Sequence, residues 1–277
     1  MTQPAISVFE TLTLLTPYDI ADFRKVRVGI KDGDGGYVML DKFSPEQKIF
    51  SYGIGGTVDF ELEFANRGHD VFMFDHTIEA LPQTHPRFTY AKEGVAGTDQ
   101  PGASLFSMSH HLARHATDET NMILKMDVEG AEWDALGAAS SNLLSRFEQI
   151  TLEMHDLWRL GDPDFRASVA AVLEKLARHF TLFHVHSNNY ADLCFVNGLL
   201  VCPVIELSYI RSDLARRLPS ATVYPTLLDP PNNPGVRDHL LLFYPFFPRA
   251  LDADLGTNIM NFTYNRIEMN LRRATGQ

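Results

Sequence analysis

Short apolar runs alternate along the chain with stretches in which apolar residues recur every three or four positions. Each short run is long enough for one buried β-strand. These runs predict strands at residues 48–52, 70–74, 88–91, 122–126, 150–154, 181–185, 204–209 and 240–243. Strands that alternate with amphipathic helices are typical of an α/β protein, with a mostly parallel sheet covered by helices on both faces.

Helical spacing is clearest over residues 165–180, where Val169, Val172, Leu173 and Leu176 fall on one face. A second helix is predicted over residues 58–67, with Thr57 as its N-cap and Gly68 just beyond its end. Residues 6–15 predict a helix near the start of the chain. Residues 26–40 predict a hairpin, because a run of Asp and Gly separates two β-forming segments.

These elements predict a single domain over residues 1–277. An N-terminal addition of one helix and one hairpin covers residues 1–47, and a C-terminal extension covers residues 211–277. The chain is 45% hydrophobic and 21% charged, which is typical of a globular protein. We find neither an internal repeat nor a linker-like segment that would divide it.

The charge and the cysteine content limit the possible partners and compartments. The net charge is −11 and no dense Lys/Arg run occurs, so nucleic acid is not expected as a partner. No apolar run approaches the roughly 20 residues that cross a bilayer. Cys194 and Cys202 are the two cysteines, both in apolar surroundings, which predicts reduced thiols rather than a disulfide. Because the first residues also lack the features of a secretory signal, we predict a cytoplasmic protein.

A glycine-rich turn follows the first core strand at Gly53, Gly55 and Gly56. A strand, a glycine turn and a helix start allow backbone N–H groups to approach a bound ligand. Asp75 comes 20 residues after Gly55, at the end of the next strand, where a carboxylate can bind ribose hydroxyls. The two features together predict a nucleoside-containing cofactor, and they fit NAD as well as S-adenosylmethionine.

Charged residues also occur at the ends of later strands. Lys125 and Asp127 fall at the end of the strand at 122–126, and Glu153 and His155 at the end of the strand at 150–154. Ligands of open α/β sheets bind beyond the carboxyl ends of the strands. His186 follows a further strand, so we expect it to join this group.

Three interpretations of these residues remain open at this stage. Asp127, His155 or His186 acts as a general base on a substrate hydroxyl. Alternatively, Asp127, Glu153 and His155, with or without His186, hold a divalent ion. Mn²⁺, Fe²⁺ or Zn²⁺ would suit mixed ligands and Mg²⁺ would suit oxygen ligands. The third interpretation is a polar cluster whose members only satisfy one another's hydrogen bonds.

One stretch distinguishes between the two cofactors. Lys125, Asp127, Glu129, Gly130 and Glu132 form a K-x-D-x-E-G-x-E pattern after a predicted strand. It resembles the FkbM-type family of class I S-adenosylmethionine-dependent methyltransferases. The resemblance extends over residues 29–206 and includes three further segments: Asp34-Gly35-Gly36-Tyr37-Val38, the loop from Ser51 to Glu61, and His186-Ser187-Asn188-Asn189 followed by Glu206.

The resemblance implies a Rossmann-like fold with a mostly parallel seven-stranded sheet and an antiparallel edge pair. It implies S-adenosylmethionine as cofactor. The residues expected to bind the cofactor are Gly53, Gly55, Gly56, Glu61, Asp75, Glu93, Gly94 and Asp127. Many class I enzymes carry an acid at the end of the first strand, where this chain has Ser51 and Tyr52, so Glu61 or Asp127 is expected to contact the methionine amino group instead.

The reaction that the resemblance implies is methyl transfer to a hydroxyl of a sugar or of a natural-product or glycan acceptor. Asp127, His155 and His186 are the expected catalytic residues. Two alternatives stay open from the residues alone, namely an NAD-dependent oxidoreductase and a non-catalytic binding protein on the same fold. No motif specifies the oligomeric state.

Overall fold

The computed structural model describes residues 6–249. In chain order the strands of this part are β1 (Tyr18–Ile20), β2 (Lys25–Gly29), β3 (Gly36–Leu40), β4 (Ile49–Tyr52), β5 (Val71–Phe74), β6 (Phe88–Ala91), β7 (Gly94–Val95), β8 (Leu105–Phe106), β9 (Met122–Met126), β10 (Phe147–Met154), β11 (Phe180–Ser187), β12 (Cys194–Val196), β13 (Leu199–Val201), β14 (Ile205–Arg211) and β15 (Arg217–Pro219). The helices are α1 (Val8–Thr13), α2 (Asp59–Asn66), α3 (Met108–His115), α4 (Glu132–Ala138), α5 (Ser141–Leu144) and α6 (Pro163–His179), with 3₁₀ turns at Pro101–Ala103 and Leu157–Gly161.

Seven of these strands form the central sheet of the described residues, in the order β11-β14-β10-β9-β4-β5-β6. β6, β5, β4, β9 and β10 are parallel to one another. β14 lies between β10 and β11 and is antiparallel to both. The predicted Rossmann-like sheet with an antiparallel edge pair is therefore confirmed.

The central strands are apolar because helices and loops cover both of their faces. Every residue of β4, β5, β9 and β10 is buried. Phe50 stacks on Phe72 and Phe74 on one side of the sheet, and α6 packs with Val169, Val172, Leu173 and Leu176 buried. The carboxyl ends of β4, β5, β9 and β10 consequently meet at one edge of a rigid core.

The predicted hairpin is present as β2 and β3, which pair antiparallel from Lys25↔Leu40 to Gly29↔Gly36. The Arg27 guanidinium donates hydrogen bonds to the carbonyls of Ile30 and Gly33, each at 2.7 Å, and so fixes the loop between the strands. β3 is buried along its whole length. The hairpin thereby carries Asp34 and Tyr37 to the carboxyl edge of the sheet.

Two local predictions were wrong. α2 begins one residue later than expected: Val58 is its N-cap, and Thr57 accepts a 3.3 Å bond from the Asp59 amide without capping the helix. Residues 240–243 form no strand. Leu241 is buried against the core, and its amide donates to the Tyr224 carbonyl at 2.9 Å. This apolar run is therefore a buried loop that pairs with no strand of the described sheets.

The segment after β14 wraps back over the sheet. Tyr224 is fully buried and its hydroxyl donates to the Phe183 carbonyl at 3.2 Å. Of the predicted C-terminal extension, residues 250–277 lie outside the described residues, as do residues 1–5 of the N-terminal addition. Among residues 6–249, none of the helices is both long and apolar enough to cross a membrane.

Candidate active site

The glycine turn after β4 lies directly against the end of β9. Gly53 has φ +75°, and a Cβ built on it would lie 1.5 Å from the carbonyl oxygen of Asp127. No side chain fits at that position, because real Cβ atoms stay at least about 3 Å from a backbone oxygen. Glycine at position 53 therefore allows two strand ends to meet at the wall of a cavity.

Asp75 fixes the shape of this turn. One carboxylate oxygen accepts from the amides of Ile54 and Gly55, at 2.8 and 3.1 Å, and the other accepts from the Thr77 amide and hydroxyl, at 2.7 and 2.6 Å. Burial alone would raise the pKa of Asp75, but these hydrogen bonds outweigh it and lower the pKa. Asp75 is therefore held as a carboxylate that organises the loop.

A cavity of about 240 Å³ opens above the turn, which we call the glycine-loop cavity. Its walls come from the strand ends: Gly53 and Gly55 after β4, Asp75 after β5, Gly94 of β7 and Asp127 after β9. All five of these wall residues are among those expected to bind a cofactor. Glu93 does not line this cavity, and Arg114 donates to both of its carboxylate oxygens, at 2.9 and 2.7 Å.

A second cavity of about 240 Å³ adjoins the first, and we call it the acidic cavity. It is lined by carboxylates on several elements, with a single lysine among its lining residues: Asp34, Asp59, Glu61, Asp127, Glu129 and Lys125. Gly56 lines this cavity rather than the glycine-loop cavity. The two cavities share Ile54, Gly55, Asp127 and Glu129, so a ligand in one borders a ligand in the other.

Lys125 and Glu61 support the floor of the acidic cavity. The Lys125 ammonium donates to the Gly53 carbonyl and lies 3.8 Å from the Asp127 carboxylate. Glu61 accepts a hydrogen bond from the Ser51 hydroxyl. Burial raises the pKa of Glu61, although the charge of Lys125 opposes this. The buried Glu61 carboxyl of α2 thus lies beside Ser51 of β4.

Tyr37 reaches the same place from the hairpin. Its hydroxyl donates to one oxygen of Asp127 at 3.1 Å. Burial raises the pKa of Tyr37 well above its usual value, and the charges of Asp127, Glu153 and Glu206 raise it further. The phenol therefore remains a donor that orients Asp127.

His155 is the most firmly held residue of the site. Its backbone N–H and its Nδ1 both lie 2.7 Å from the same oxygen of buried Glu132, and its carbonyl accepts from the Trp133 indole at 2.8 Å. Burial alone would lower the pKa of His155, but the carboxylates of Glu132 and Glu153 outweigh burial and raise the pKa to about 11. The glutamate that ends the K-x-D-x-E-G-x-E pattern therefore positions a histidine on the neighbouring strand.

Asp127, Glu153 and His155 converge as the sequence predicts, with one potential ligand atom of each within 4.8 Å of the others. Glu153 is only 5% exposed, and its Oε1 accepts from the Asn188 amide at 2.9 Å. Burial raises the pKa of Glu153 to about 7, with the charge of Asp127 contributing to the rise.

His186 is not a member of this group. Its Nδ1 faces Glu206 at 3.2 Å and its Nε2 faces Asp238 at 2.9 Å. Burial would lower the pKa of His186, but the charge of Glu206 and the hydrogen bond to Asp238 raise it to about 10. Both ring nitrogens of His186 therefore face carboxylates outside the group of Asp127, Glu153 and His155.

Several residues of the site have no assigned role in the sequence interpretation. Tyr37, Glu132 and Glu206 lie within segments that carry the family resemblance, so their positions were signalled but their contacts were not. Asn232 and Asp238 come from the loop after Tyr224 and reach the cluster without any recognisable motif. Only the tertiary structure brings that loop to the carboxyl edge of the sheet.

Comparison with solved structures finds remote similarity of fold. A candidate hemolysin from Streptococcus thermophilus is 9% identical with a TM-score of 0.35; the match covers 61% of this chain and 60% of that one. The N-methyltransferase NodS from Bradyrhizobium japonicum is 11% identical with a TM-score of 0.35, covering 60% of this chain and 86% of that one. A TehB-like SAM-dependent methyltransferase from Corynebacterium glutamicum is 15% identical with a TM-score of 0.35, covering 61% and 83%.

Sequence comparison is more specific. A search of curated proteins gives no significant match. The family model of the methyltransferase FkbM domain matches residues 23–180, which run from β2 through α6 and include most of the residues described above. This match decides for a methyltransferase over an NAD-dependent oxidoreductase or a non-catalytic binding protein. The chain belongs to the FkbM family of S-adenosylmethionine-dependent methyltransferases.

Proposed function

We propose that this enzyme methylates a hydroxyl oxygen of a sugar, or of a natural-product or glycan acceptor. The cofactor occupies the glycine-loop cavity and the acceptor enters the acidic cavity. The proposal is supported by the border that the two cavities share, which is formed by Ile54, Gly55, Asp127 and Glu129. A methyl group presented at that border would face an acceptor atom beside Asp127.

The residues of the glycine-loop cavity fit S-adenosylmethionine. The close approach that Gly53 permits leaves the turn without side chains on the ligand side, and Gly55 has open space where its Cβ would be. We propose that Gly53, Gly55 and Gly94 line the cofactor, that Asp75 holds the turn that borders the ribose and that Asp127 faces the methionine amino group. Glu61 and Gly56 support this end from the acidic cavity, whereas Glu93 is paired with Arg114 and is not proposed to contact the cofactor.

S-adenosylmethionine supplies an activated methyl group when bound: the acceptor oxygen forms the new C–O bond while the C–S bond breaks and its electron pair goes to sulfur. The protein's part is to hold the acceptor in line and to receive the hydroxyl proton. Asp127 is the group proposed for that proton, because its carboxylate borders both cavities. Tyr37 and Lys125 hold the carboxylate in one orientation.

We propose that His155 and His186 act by positioning other groups. Both ring nitrogens of each histidine lie close to carboxylate oxygens, which separate them from an acceptor hydroxyl. His155 holds Glu153 next to Asp127, and His186 holds Glu206 at the other end of the cluster. Their proposed contribution is the arrangement of the carboxylates next to Asp127.

The charge of the acidic cavity supports a neutral acceptor. Its lining carries five carboxylates and one ammonium group, so a phosphate or carboxylate on the acceptor would be repelled. Neutral hydroxyls can instead donate hydrogen bonds to these carboxylates. A sugar with several free hydroxyls fits this requirement.

The test is methyl transfer from S-adenosylmethionine labelled in the methyl group to a panel of neutral sugars, sugar phosphates and amines, with product analysis by mass spectrometry. The proposal predicts O-methylated neutral sugar or glycoside products, and loss of transfer in the Asp127→Asn variant. Asp192→Asn removes an exposed carboxylate elsewhere and serves as the matched control. Transfer to nitrogen or to phosphorylated sugars alone would contradict the proposed acceptor class.

The proposal also covers the partners and the compartment. A net charge of −11 supports a small-molecule or glycan acceptor over nucleic acid. The cytoplasmic location stays a prediction, which cell fractionation would test.

A further inference from the structure

The ring of His155 leaves its second nitrogen in an unusual environment. Nε2 lies 3.4 Å from Oε1 of Glu153 and 3.4 Å from Oε2 of Glu129, which is longer than a normal N–H···O hydrogen bond. Two ligands of a tetrahedral ion with bonds of about 2.1 Å are separated by roughly 3.4 Å. The distance between Nε2 and Oε1 of Glu153 is therefore compatible with two ligands of one ion.

Glu153 contributes a second, independent observation. Its Oε2 is buried and has no hydrogen-bond partner within residues 6–249. An unpaired buried carboxylate oxygen is costly, and more so next to the negative charges of Asp127, Glu206 and Asp34. A bound cation would both partner this oxygen and offset the charge.

The other side of the His155 ring is prepared in the way that metal-ligating histidines usually are. Nδ1 is 2.7 Å from Oε1 of Glu132, a fully buried residue. The same oxygen accepts from the His155 amide, and Oε2 of Glu132 accepts from the Gly130 amide. Such a carboxylate–histidine pair fixes the ring, and a metal ion at Nε2 would replace the proton that the nitrogen otherwise carries. The packing of α4 against the end of β10 thus aims one nitrogen at Glu153.

We propose that Asp127, Glu153 and His155 form a binding site for a divalent first-row transition-metal ion. One nitrogen and two carboxylates suit Mn²⁺, Fe²⁺ or Zn²⁺ better than Mg²⁺. The role of the ion rests on the proposed function: at the border of the two cavities it would polarise the acceptor hydroxyl, whose proton would leave to a carboxylate of the acidic cavity. The binding of the ion itself does not depend on that function.

An oxygen-only group, Asp34, Glu153 and Glu206, lies next to this site with its ligand atoms also within 4.8 Å. It is less suited to be the primary site. Asp34 is exposed, and Glu206 is already engaged by His186 at 3.2 Å and by the Asn232 amide at 2.6 Å. The site with His155 adds a nitrogen ligand and borders the glycine-loop cavity through Asp127.

The experiment titrates the protein with Mn²⁺. Binding is measured as the loss of the electron paramagnetic resonance signal of the free ion. The titration is done with and without S-adenosylhomocysteine, on the wild type and on the His155→Gln and Glu153→Gln variants. Glu148→Gln is the matched control, because Glu148 is a buried glutamate at the opposite end of the same strand and pairs with Lys42. Circular dichroism verifies that each variant is folded.

We expect one Mn²⁺ per chain in the wild type and in Glu148→Gln, with affinity reduced roughly tenfold or more in His155→Gln and Glu153→Gln. Absence of binding to the folded wild type overturns the proposal. It is also overturned if Asp34→Asn and Glu206→Gln abolish binding while His155→Gln does not, since the ion would then occupy the oxygen-only group. S-adenosylhomocysteine binding without Mn²⁺ binding would contradict only this inference and leave the methyltransferase proposal intact.

Discussion

Gly53 offers the sharpest test of how the sheet forms its cofactor cavity. In Gly53→Ala the new Cβ would lie 1.5 Å from the Asp127 carbonyl oxygen, whereas real Cβ atoms keep about 3.0 Å, so the two strand ends must separate by at least about 1.5 Å. A non-glycine residue at φ +75° costs about 1–2 kcal/mol. The separation also strains the bonds from Gly53 N to Phe74 O and from Asp127 N to Tyr52 O, both 3.0 Å and each contributing about 1 kcal/mol.

We therefore expect Gly53→Ala to lower the free energy of unfolding by about 3–4 kcal/mol. The two other glycines of the turn are internal controls, because neither would bring a Cβ within 4 Å of another atom. Gly55→Ala, at φ +61°, should lose about 1–2 kcal/mol from the backbone conformation alone, and Gly56→Ala should be close to neutral. Urea denaturation followed by circular dichroism measures all three. A Gly53→Ala variant as stable as Gly56→Ala would refute this reasoning.

Three further predictions concern the site and its support. Burial lowers the pKa of Lys25 to about 8, although the charges of Asp19 and Asp229 oppose this effect. Above about pH 8 the folded protein therefore loses the Lys25 proton, whereas the unfolded chain keeps it up to about pH 10.5. Stability should accordingly rise between about pH 8 and 10.5 by up to about 1.4 kcal/mol per pH unit, and Lys25→Met should remove this slope in urea titrations at several pH values. Tyr37→Phe removes the hydrogen-bond donor to Asp127 and should reduce kcat about tenfold. The affinity for S-adenosylhomocysteine, measured by calorimetry, should stay unchanged. An unchanged kcat would show that the phenol does not orient Asp127. Glu132→Gln should lower the free energy of unfolding by about 1–3 kcal/mol, because its partners in His155 are buried, and an unaltered denaturation midpoint would contradict that role.

The fold was largely predictable because its signals are local. Each core strand is a short apolar run, and α6 carries an unbroken apolar stripe, so period and length suffice to identify them. The hairpin followed from Asp and Gly between β-forming runs. Residues 240–243 were mistaken for a strand because an apolar run indicates burial but not a pairing partner, and Leu241 is buried in a loop.

The candidate site was predictable where it follows strand ends and not where it depends on tertiary contacts. Asp127, Glu153 and His155 converge because parallel strands place their carboxyl ends at one edge. From the sequence, Asp75 was predicted only to bind the ribose. Its distance from Gly55 along the sequence could not show that its carboxylate already accepts four hydrogen bonds from the protein. Asn232 arrives from a loop rich in proline and asparagine, whose path is set by packing over the sheet and not by a motif of its own.

The central claim is that the glycine-loop cavity binds the cofactor of a methyltransferase. Isothermal titration calorimetry with S-adenosylhomocysteine tests it most directly, on the wild type, on Asp75→Asn and on Asp70→Asn, a surface control whose carboxylate pairs with Arg87. We predict one site per chain, with affinity unchanged in Asp70→Asn and reduced roughly tenfold or more in Asp75→Asn, because the amide cannot reproduce the charge that holds the turn. No binding by the wild type, or equal binding by all three proteins, would contradict the claim.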